Sequence, residues 1–364
     1  MPDKTKREKM IFEDKSVVVT GGTGSLGKTL VRRILTGDLG VPKKVIVFSR
    51  DEAKQHEMRM SYQRRLVATD EVIYRNFMDV LEFRIGDVRN FADVCSVLGD
   101  ADIVVNAAAL KQVPSCEYFP EQAMLTNCMG AANIVRAIGE NHLPVQTVVG
   151  VSTDKACKPV NVMGMTKAIQ ERIFLAANIL NPDVRFICVR YGNVLASRGS
   201  VIPLFHDQIQ NGGPVTVTVP EMTRFLLSLD QAVNTVFAAI KSARPGEIYV
   251  PDAPSATALN IAKALIQERD IEIQITGIRP GEKMHEIMVS EEEAHRCVSA
   301  GDYYAIQSML PELQDESDPS PRAFKKEFSS SDHPLNFDET IDLLKKNQLM
   351  ADDLEKRPNG ELLR

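Results

Sequence analysis

The sequence predicts a doubly wound parallel α/β sheet carrying a smaller mixed α/β lobe. Three observations point to it. Short β-branched runs alternate with longer helical stretches through the first half of the chain, a glycine cluster closes the first run, and the texture shifts toward Pro, Gly and Thr after Gly192. Strands of four to seven residues separated by helices make a parallel sheet covered on both faces. Crossovers of this length are right-handed, which winds the sheet in two directions.

The predicted strands follow in order: Ser16–Val19, Lys44–Phe48, Glu82–Ile85, Ile103–Asn106, Thr147–Ser152 and Phe186–Arg190. Helical periodicity occupies Lys28–Leu35 and Met124–Ile138 between them. Beyond Gly192, helical stretches at Leu229–Ser242 and Thr257–Gln267 are interleaved with short strands. Pro311–Ser331 reads as an extended surface segment, Phe337–Lys346 as a short amphipathic helix, and the residues after it as a tail. We expect residues 10–192 to form a dinucleotide-binding domain that also carries catalytic residues. Residues 193–345 would be mainly a substrate lobe interleaved with it, and 346–364 a C-terminal tail.

Composition narrows the function. The chain has 364 residues, 44% hydrophobic and 25% charged, which excludes disordered and fibrous classes. A net charge of −6 argues against nucleic acid as the main partner. No stretch approaches the ~18 consecutive apolar residues of a membrane span, and the charged start MPDKTKREKM lacks the apolar core of a secretory signal. The six cysteines are scattered with no CxxC pair, which fits reduced thiols in the cytoplasm better than disulfides or zinc. No metal-binding spacing of His, Cys or carboxylates occurs, so no metal is expected.

Thr20–Gly27 (TGGTGSLG) follows the first predicted strand and opens a helix. Gly21, Gly24 and Gly27 form a GxxGxxG pattern. A tight turn, close approach of a pyrophosphate to the backbone and close helix packing all need residues without Cβ, while helix amides face the phosphates. Thr23, Ser25 and Leu26 complete this Rossmann-type cofactor loop. The second strand ends Phe48-Ser49-Arg50-Asp51. Ser49 and Arg50 stand where a ribose 2′-phosphate would lie, which favours NADP; if Asp51 instead took the ribose hydroxyls, the cofactor would be NAD. Asp87 and Val88 end the third strand, where a carboxylate and a backbone amide could hold the adenine. The small side chains of Ala107, Ala108 and Ala109 would let the cofactor lie against the sheet.

The fifth strand runs into Ser152-Thr153-Asp154-Lys155-Ala156, and Met163-Gly164-Met165-Thr166-Lys167 opens the next helix. Together with the glycine loop and NAAA, these resemble the extended short-chain dehydrogenases that act on nucleotide sugars. ALKQVPSCE (109–117), STDKA (152–156), RYGNVLASRGSVIPLF (190–205), MTRF (222–225) and RPGEK (279–283) resemble one branch of that superfamily. It is the bacterial UDP-N-acetylglucosamine 4,6-dehydratases of surface-polysaccharide biosynthesis. The resemblance spans about residues 10–345. One departure from the superfamily pattern stands out: Met163 occupies the first position of YxxxK, usually tyrosine, and has no ionisable proton. Met at this position occurs in the dehydratase branch.

The resemblance implies a UDP-sugar substrate and a reaction in three stages. Hydride leaves C4, water is eliminated across C5 and C6, and hydride returns to C6, with or without inversion at C5. Elimination needs an acid and a base. By resemblance Asp154 is the acid at the C6 hydroxyl and Lys155 the base at C5, so the Asp154 pKa should be raised and the Lys155 pKa depressed. Lys167 should hold the nicotinamide ribose, and Thr153 should contact the sugar O4. Lys111 is expected beside the cofactor, the substrate or a subunit interface.

The same resemblance places Asn193, Arg198, Ser200, Arg224, Arg279 and Glu282 around the nucleotide sugar. Arg279 would pair with the pyrophosphate and Glu282 would accept from ribose hydroxyls, while Ile202 and Pro203 would pack on the base. It also implies a homo-oligomer, from dimer to hexamer. Two alternatives remain at the level of sequence: a nucleotide-sugar 4-epimerase, and a catalytically silent NADP-binding sensor.

Overall fold

In the computed structural model, residues 10–63, 79–195, 200–314 and 320–350 are described. Strands are numbered here in chain order. The sheet begins with β1 (Ser16–Thr20), β2 (Lys44–Ser49), β3 (Leu81–Ile85), β4 (Ile103–Asn106), β5 (Thr147–Val151) and β6 (Arg185–Val189). All six pair in parallel in the order β3-β2-β1-β4-β5-β6. Val17, Val18 and Val19 of β1 are all fully buried, the signature of a strand covered on both faces. Strand order reverses at β1, between β2 and β4, and the crevice at such a reversal is where doubly wound sheets bind ligands.

The chain then leaves the sheet and returns. Asn193–Val194 (β7), Val215–Val217 (β8) and Thr223–Leu227 (β9) lie in the lobe, whereas Ile248–Pro251 (β10) pairs in parallel with β6. Ser255–Thr257 (β11), Ile273–Ile275 (β12) and Ile287–Val289 (β13) are lobe strands again. Cys297–Ala300 (β14) and Tyr303–Ile306 (β15) add an antiparallel hairpin outside β10, so nine described strands form one sheet. The lobe has its own core, in which Ile202, Phe205, Ile209, Leu226 and Leu265 are buried.

Three sequence expectations shift. Met124–Ile138 is not one uniform helix: Met124–Met129 winds wider than an α-helix before Gly130–Asn141 continues. Such wide turns recur near functional sites, and this one presents Asn127 to the Leu110 backbone. Its Nδ2 donates to the Leu110 carbonyl at 3.0 Å, and its Oδ1 accepts from the Leu110 amide at 2.9 Å.

The Pro311–Ser331 stretch is not wholly a surface segment. Phe324 and Phe328 stack at 5.0 Å against the main core, and Ser330 is fully buried. The expected tail also begins inside the lobe. Leu349 and Met350 are buried in its core, and the Leu349 carbonyl meets His206 Nε2 at 2.8 Å. Residues 351–364 lie outside the described residues. Apolar spacing near the chain end was too sparse to separate a docked segment from a frayed one.

Candidate active site

The glycine turn forms because the chain must reverse against two neighbouring strands. Gly21 has φ +65°, and a Cβ there would lie 2.8 Å from the Ala108 backbone. Gly24 caps Ser25–Leu35 with no side-chain hydrogen bond, which leaves the first helix amides open for an anion. An open helix start and a backbone cradle that any Cβ would fill fit the pyrophosphate of a dinucleotide.

A cleft of about 820 Å³ runs from this turn along the C-terminal ends of the parallel strands to the lobe. It brings together most of the residues singled out above. Gly21, Thr23, Gly24, Ser25, Leu26, Gly27, Ser49, Arg50, Asp87, Val88, Ala107, Ala108, Ala109, Lys111 and Lys167 line one part of it. Thr153, Lys155, Asn193, Ser200, Arg279 and Glu282 line the other.

At the adenosine end, Arg50 is 58% exposed and its guanidinium is 3.9 Å from Asp87. Asp51 is already engaged: its carboxylate accepts from the Lys54 amide at 3.0 Å and from the Lys54 ammonium. The Lys54 contacts hold Asp51 below the usual carboxylate range. Asp87 is likewise committed, accepting from Arg89 Nε at 2.8 Å and Nη2 at 2.6 Å. Its amide donates to Asp93 at 3.0 Å.

At the other end, Asp154–Ala156 makes a tight turn after β5, and the Asp154 amide donates to the Tyr191 carbonyl at 3.1 Å. The neighbouring helix Val162–Leu180 is capped by Asn161, whose Oδ1 accepts from the Gly164 amide at 2.8 Å and whose Nδ2 donates to the Gly281 carbonyl at 2.8 Å. One residue thereby ties the RPGEK segment to the start of the helix that carries Lys167. The Lys167 ammonium donates to the Val151 carbonyl at 2.5 Å and to Gln170 at 2.7 Å. Burial lowers its pKa to about 8, against the opposing pull of Cys188 and Glu171. Met163 is buried against Cys116 and Ala123.

Asp154 is fully buried just behind the cleft wall. Its Oδ1 accepts from Thr153 Oγ1 at 2.9 Å and from Lys155 Nζ at 3.0 Å, whereas Oδ2 has no partner. A Cβ on Gly192 would approach Oδ2 to 3.1 Å, so glycine there leaves that oxygen its space. Burial raises the Asp154 pKa, and the Glu286 carboxylate adds to the rise against the pull of Lys155.

Lys155 differs from expectation. Burial opposes its charge, but the carboxylates of Asp154 and Glu286 outweigh burial and raise its pKa instead of depressing it. Its ammonium has three acceptors: Asp154 Oδ1, Asn193 Oδ1 at 3.1 Å and Glu286 Oε1 at 3.2 Å. Glu286 escaped the sequence reading because it lies far along the chain, three residues beyond RPGEK. Only the fold brings it to the turn after β5.

Several expected contacts are not made. Ile202, 1% exposed, packs in the lobe core with Phe205 and does not line the cleft, and neither does Pro203. Both belong to Val201–Gln210, whose apolar stripe serves the lobe interior. Arg224 is also absent from the wall: Nη1 donates to the Thr223 carbonyl at 2.7 Å, and Nε lies 3.9 Å from Glu286. Arg198 lies outside the described residues.

Buried polar groups ordinarily find partners. Among the described residues, the buried side-chain polar atoms without one are Thr126 Oγ1, Asp154 Oδ2, Ser200 Oγ, Glu282 Oε2 and Glu286 Oε2. Thr126, Ser200 and Glu282 line the cleft, and the two other carboxyls stand behind it. Unspent hydrogen-bonding capacity is thus gathered where a polar ligand would enter.

Known proteins resemble the chain in sequence and fold. Residues 17–308 match the family model described as polysaccharide biosynthesis protein. A UDP-glucose 4-epimerase of Rickettsia canadensis is 43% identical over 304 residues, covering 81% of this chain and 84% of that one. The X-ray structure of Pen from Bacillus thuringiensis, 32% identical, superposes with a TM-score of 0.83 over 94% of this chain and all of that one. The dTDP-glucose 4,6-dehydratase DesIV from Streptomyces venezuelae, 20% identical, covers 74% of this chain and 86% of its own with a TM-score of 0.62, a likeness of fold. With its extended Rossmann sheet and this cleft, the chain belongs to the polysaccharide biosynthesis protein family, whose neighbours include nucleotide-sugar epimerases and dehydratases.

Proposed function

We propose that the chain is a cytoplasmic, NADP-dependent 4,6-dehydratase of UDP-N-acetylglucosamine, forming a UDP-2-acetamido-2,6-dideoxy-4-hexulose for a surface glycan. The observation that carries this reading is the Asp154 carboxyl. It is fully buried, burial and the nearby Glu286 raise its pKa, and its Oδ2 has no partner. A protonated acid next to a base is what elimination of water needs and what simple epimerisation does not. Met163 at the usual tyrosine position agrees with chemistry moved onto Asp154 and Lys155.

A dinucleotide held along Gly21, Gly24, Gly27 and Lys167 would supply reversible hydride transfer, out from C4 and back at C6. The chain's own groups do the rest. Asp154 passes its proton to the C6 hydroxyl, which leaves as water, and the amine form of Lys155 takes the C5 proton and returns it to C5 as C6 is reduced. The proton released from O4 to water on oxidation is matched by the one Asp154 regains after elimination, so the cycle consumes none. Thr153 orients Asp154 through its 2.9 Å hydrogen bond. Lys167 supplies positive charge at the ribose. Arg279 and Glu282 hold the UDP, with Asn193 and Ser200 nearer the sugar.

The cofactor preference rests on Arg50, exposed at the adenosine end, beside an Asp51 already engaged by Lys54. Residues 10–192 serve the cofactor and 193–345 mainly the substrate. Two or more chains associate through the apolar surface of Val113–Tyr118 and the helices beside it.

The relatives named UDP-glucose 4-epimerase favour a second reading, 4-epimerisation. Incubation with UDP-N-acetylglucosamine in deuterated water separates the two. Loss of one water with deuterium gained at C5 supports the dehydratase, whereas an unchanged mass with a new 4-epimer overturns it.

A further inference from the structure

We propose that Arg190, Glu171 and Glu293 form a buried brace that fixes the two ends of residues 152–157, the segment carrying Thr153, Asp154 and Lys155. The inference rests on the dehydratase reading and deepens it, by naming the residues that set the geometry of its acid and base. At the first end of the segment, Ser152 Oγ donates to Glu171 Oε1 at 2.5 Å. At the second, Cys157 Sγ donates to Glu293 Oε2 at 3.6 Å. One guanidinium holds both carboxylates.

Arg190 Nε and Nη2 donate to Glu171 at 3.1 and 2.7 Å, and Nη1 and Nη2 donate to Glu293 at 2.8 and 3.0 Å. Nη1 also donates to the Met288 carbonyl of β13 at 2.7 Å. Each of the five N–H groups of this rigid fork thus has an acceptor, and neither carboxylate can turn without breaking a bond. The backbone on either side of Arg190 holds the same segment. The Ser152 amide donates to the Val189 carbonyl at 2.7 Å, and the Asp154 amide to the Tyr191 carbonyl at 3.1 Å. Glu171 lies one turn beyond Lys167 on the helix Val162–Leu180, so the brace also ties the segment to the helix that presents Lys167.

The segment needs such a frame. Asp154–Ala156 is a single tight turn, too short to hold its own shape. Proton transfer requires acid and base placed to within about 0.5 Å, and a displacement of about 1 Å can cost 10²-fold in rate. Apolar packing of equal volume would stabilise the interior about as well as a buried ion cluster does. Bonds of fixed direction are what the cluster adds, and they end on the two residues that bracket the turn. Arg190, Glu171 and Glu293 do not line the cleft, so they are positioning residues that touch no reacting atom.

The test frees one end at a time in the intact protein and leaves the bonds of Arg190 in place. Ser152→Ala should lower kcat for dehydration about tenfold, with KM and cofactor affinity little changed, the pattern of a loss confined to the transition state. Cys157→Ala should lower kcat by a smaller factor, because a thiol is a weak donor. Cys157→Ser keeps a donor toward Glu293 and should restore the rate. The cysteine pair carries the test if Ser152→Ala fails to fold. A rise in KM with kcat unchanged in Ser152→Ala would mean that Ser152, which lines the cleft, acts on a bound ligand, and would overturn the proposal.

Hydrogen–deuterium exchange read by mass spectrometry gives a readout independent of turnover. In Ser152→Ala, amides of residues 152–157 should exchange about tenfold faster, while those of β4 stay as in wild type. Unchanged exchange in 152–157 would overturn the brace, and so would an equal rise in β4, which reports global stability alone. Wild-type protein that dehydrates no UDP-sugar would instead overturn the functional reading, and the exchange result would still decide whether the brace holds the turn.

Discussion

Met163 stands one helical turn before Lys167 and lines the same cleft, yet only the lysine brings a titratable group to it. Met163 is packed against Cys116 and Ala123, while Lys167 reaches the Val151 carbonyl at the cleft. A thioether in a small apolar pocket contributes packing and no proton chemistry. Met163→Leu should therefore cost less than about 1.5 kcal/mol of stability and leave dehydration within a few-fold of wild type. A loss beyond tenfold, measured by product mass spectrometry, would give the methionine a part in the reaction.

Asp154→Asn removes the proposed acid while keeping the shape of the side chain. Dehydration should drop by about 10²–10⁴-fold, the range for general acid catalysis, and binding of the dinucleotide should hold. In wild type the acid form is the active one, and burial raises its pKa. Activity should therefore fall as pH rises through that raised value, a limb that lies above the range of an ordinary carboxyl. Stopped-flow turnover across pH, paired with cofactor titration, measures both.

How much of this was legible in the sequence depends on chain distance. The strand Ile103–Asn106 and the helices Leu229–Ser242 and Phe337–Lys346 coincide with their predicted spans, because apolar period and flanking breakers are local signals. Asp154, Lys155 and Lys167 were legible because they sit just after a recognisable strand or in the helix that follows. Glu286 and Gly192 were not, because their contacts with Lys155 and Asp154 exist only once the lobe folds back. The Lys155 pKa went the other way for the same reason: burial was expected, but two facing carboxylates were not. Ile202 shows the converse error, an apolar residue in a binding-like motif that serves the lobe core.

Arg50 should decide the cofactor. Its guanidinium is 58% exposed and, among the described residues, lies 3.9 Å from Asp87. A hydrogen bond to a charged phosphate contributes about 1.5–3 kcal/mol, or roughly 10–100-fold in affinity. Arg50→Ala should weaken NADP by that factor and leave NAD nearly unchanged in calorimetric titration. Equal weakening of both would remove the 2′-phosphate from its role.

The surface around Val113–Tyr118 and Val162–Leu180 carries Tyr118, Phe119, Met124, Met165 and Ile169 exposed on adjoining segments. Apolar patches of this kind mark protein contacts, and Met165 and Ile169 sit four residues apart on one helical face. Ile169→Asp should shift the protein to monomer in light scattering while its cofactor affinity stays near wild type. An unchanged mass would move the interface elsewhere.

Arg190 tests the frame behind the site. Its guanidinium is 1% exposed and bonds Glu171 at 2.7 Å and Glu293 at 2.8 Å, while Glu171 also accepts from Ser152 Oγ at 2.5 Å, next to the Asp154–Ala156 turn. Arg190→Met would strand two buried carboxylates, a loss of about 3–5 kcal/mol near neutral pH. Burial opposes the Glu293 charge, but Arg190 prevails and holds its pKa down at about 2. A depressed carboxylate stabilises the fold above its unfolded pKa, and that contribution is lost as pH falls toward about 2. Without Arg190, only the Ser290 amide and Arg296 oppose burial at Glu293, so its folded pKa moves up and acid weakens the variant less than it weakens wild type. The stability difference, measured by denaturant titration, should narrow as pH falls from 7 through the carboxylate range. A difference that stays constant would mean the network contributes by packing and not by charge.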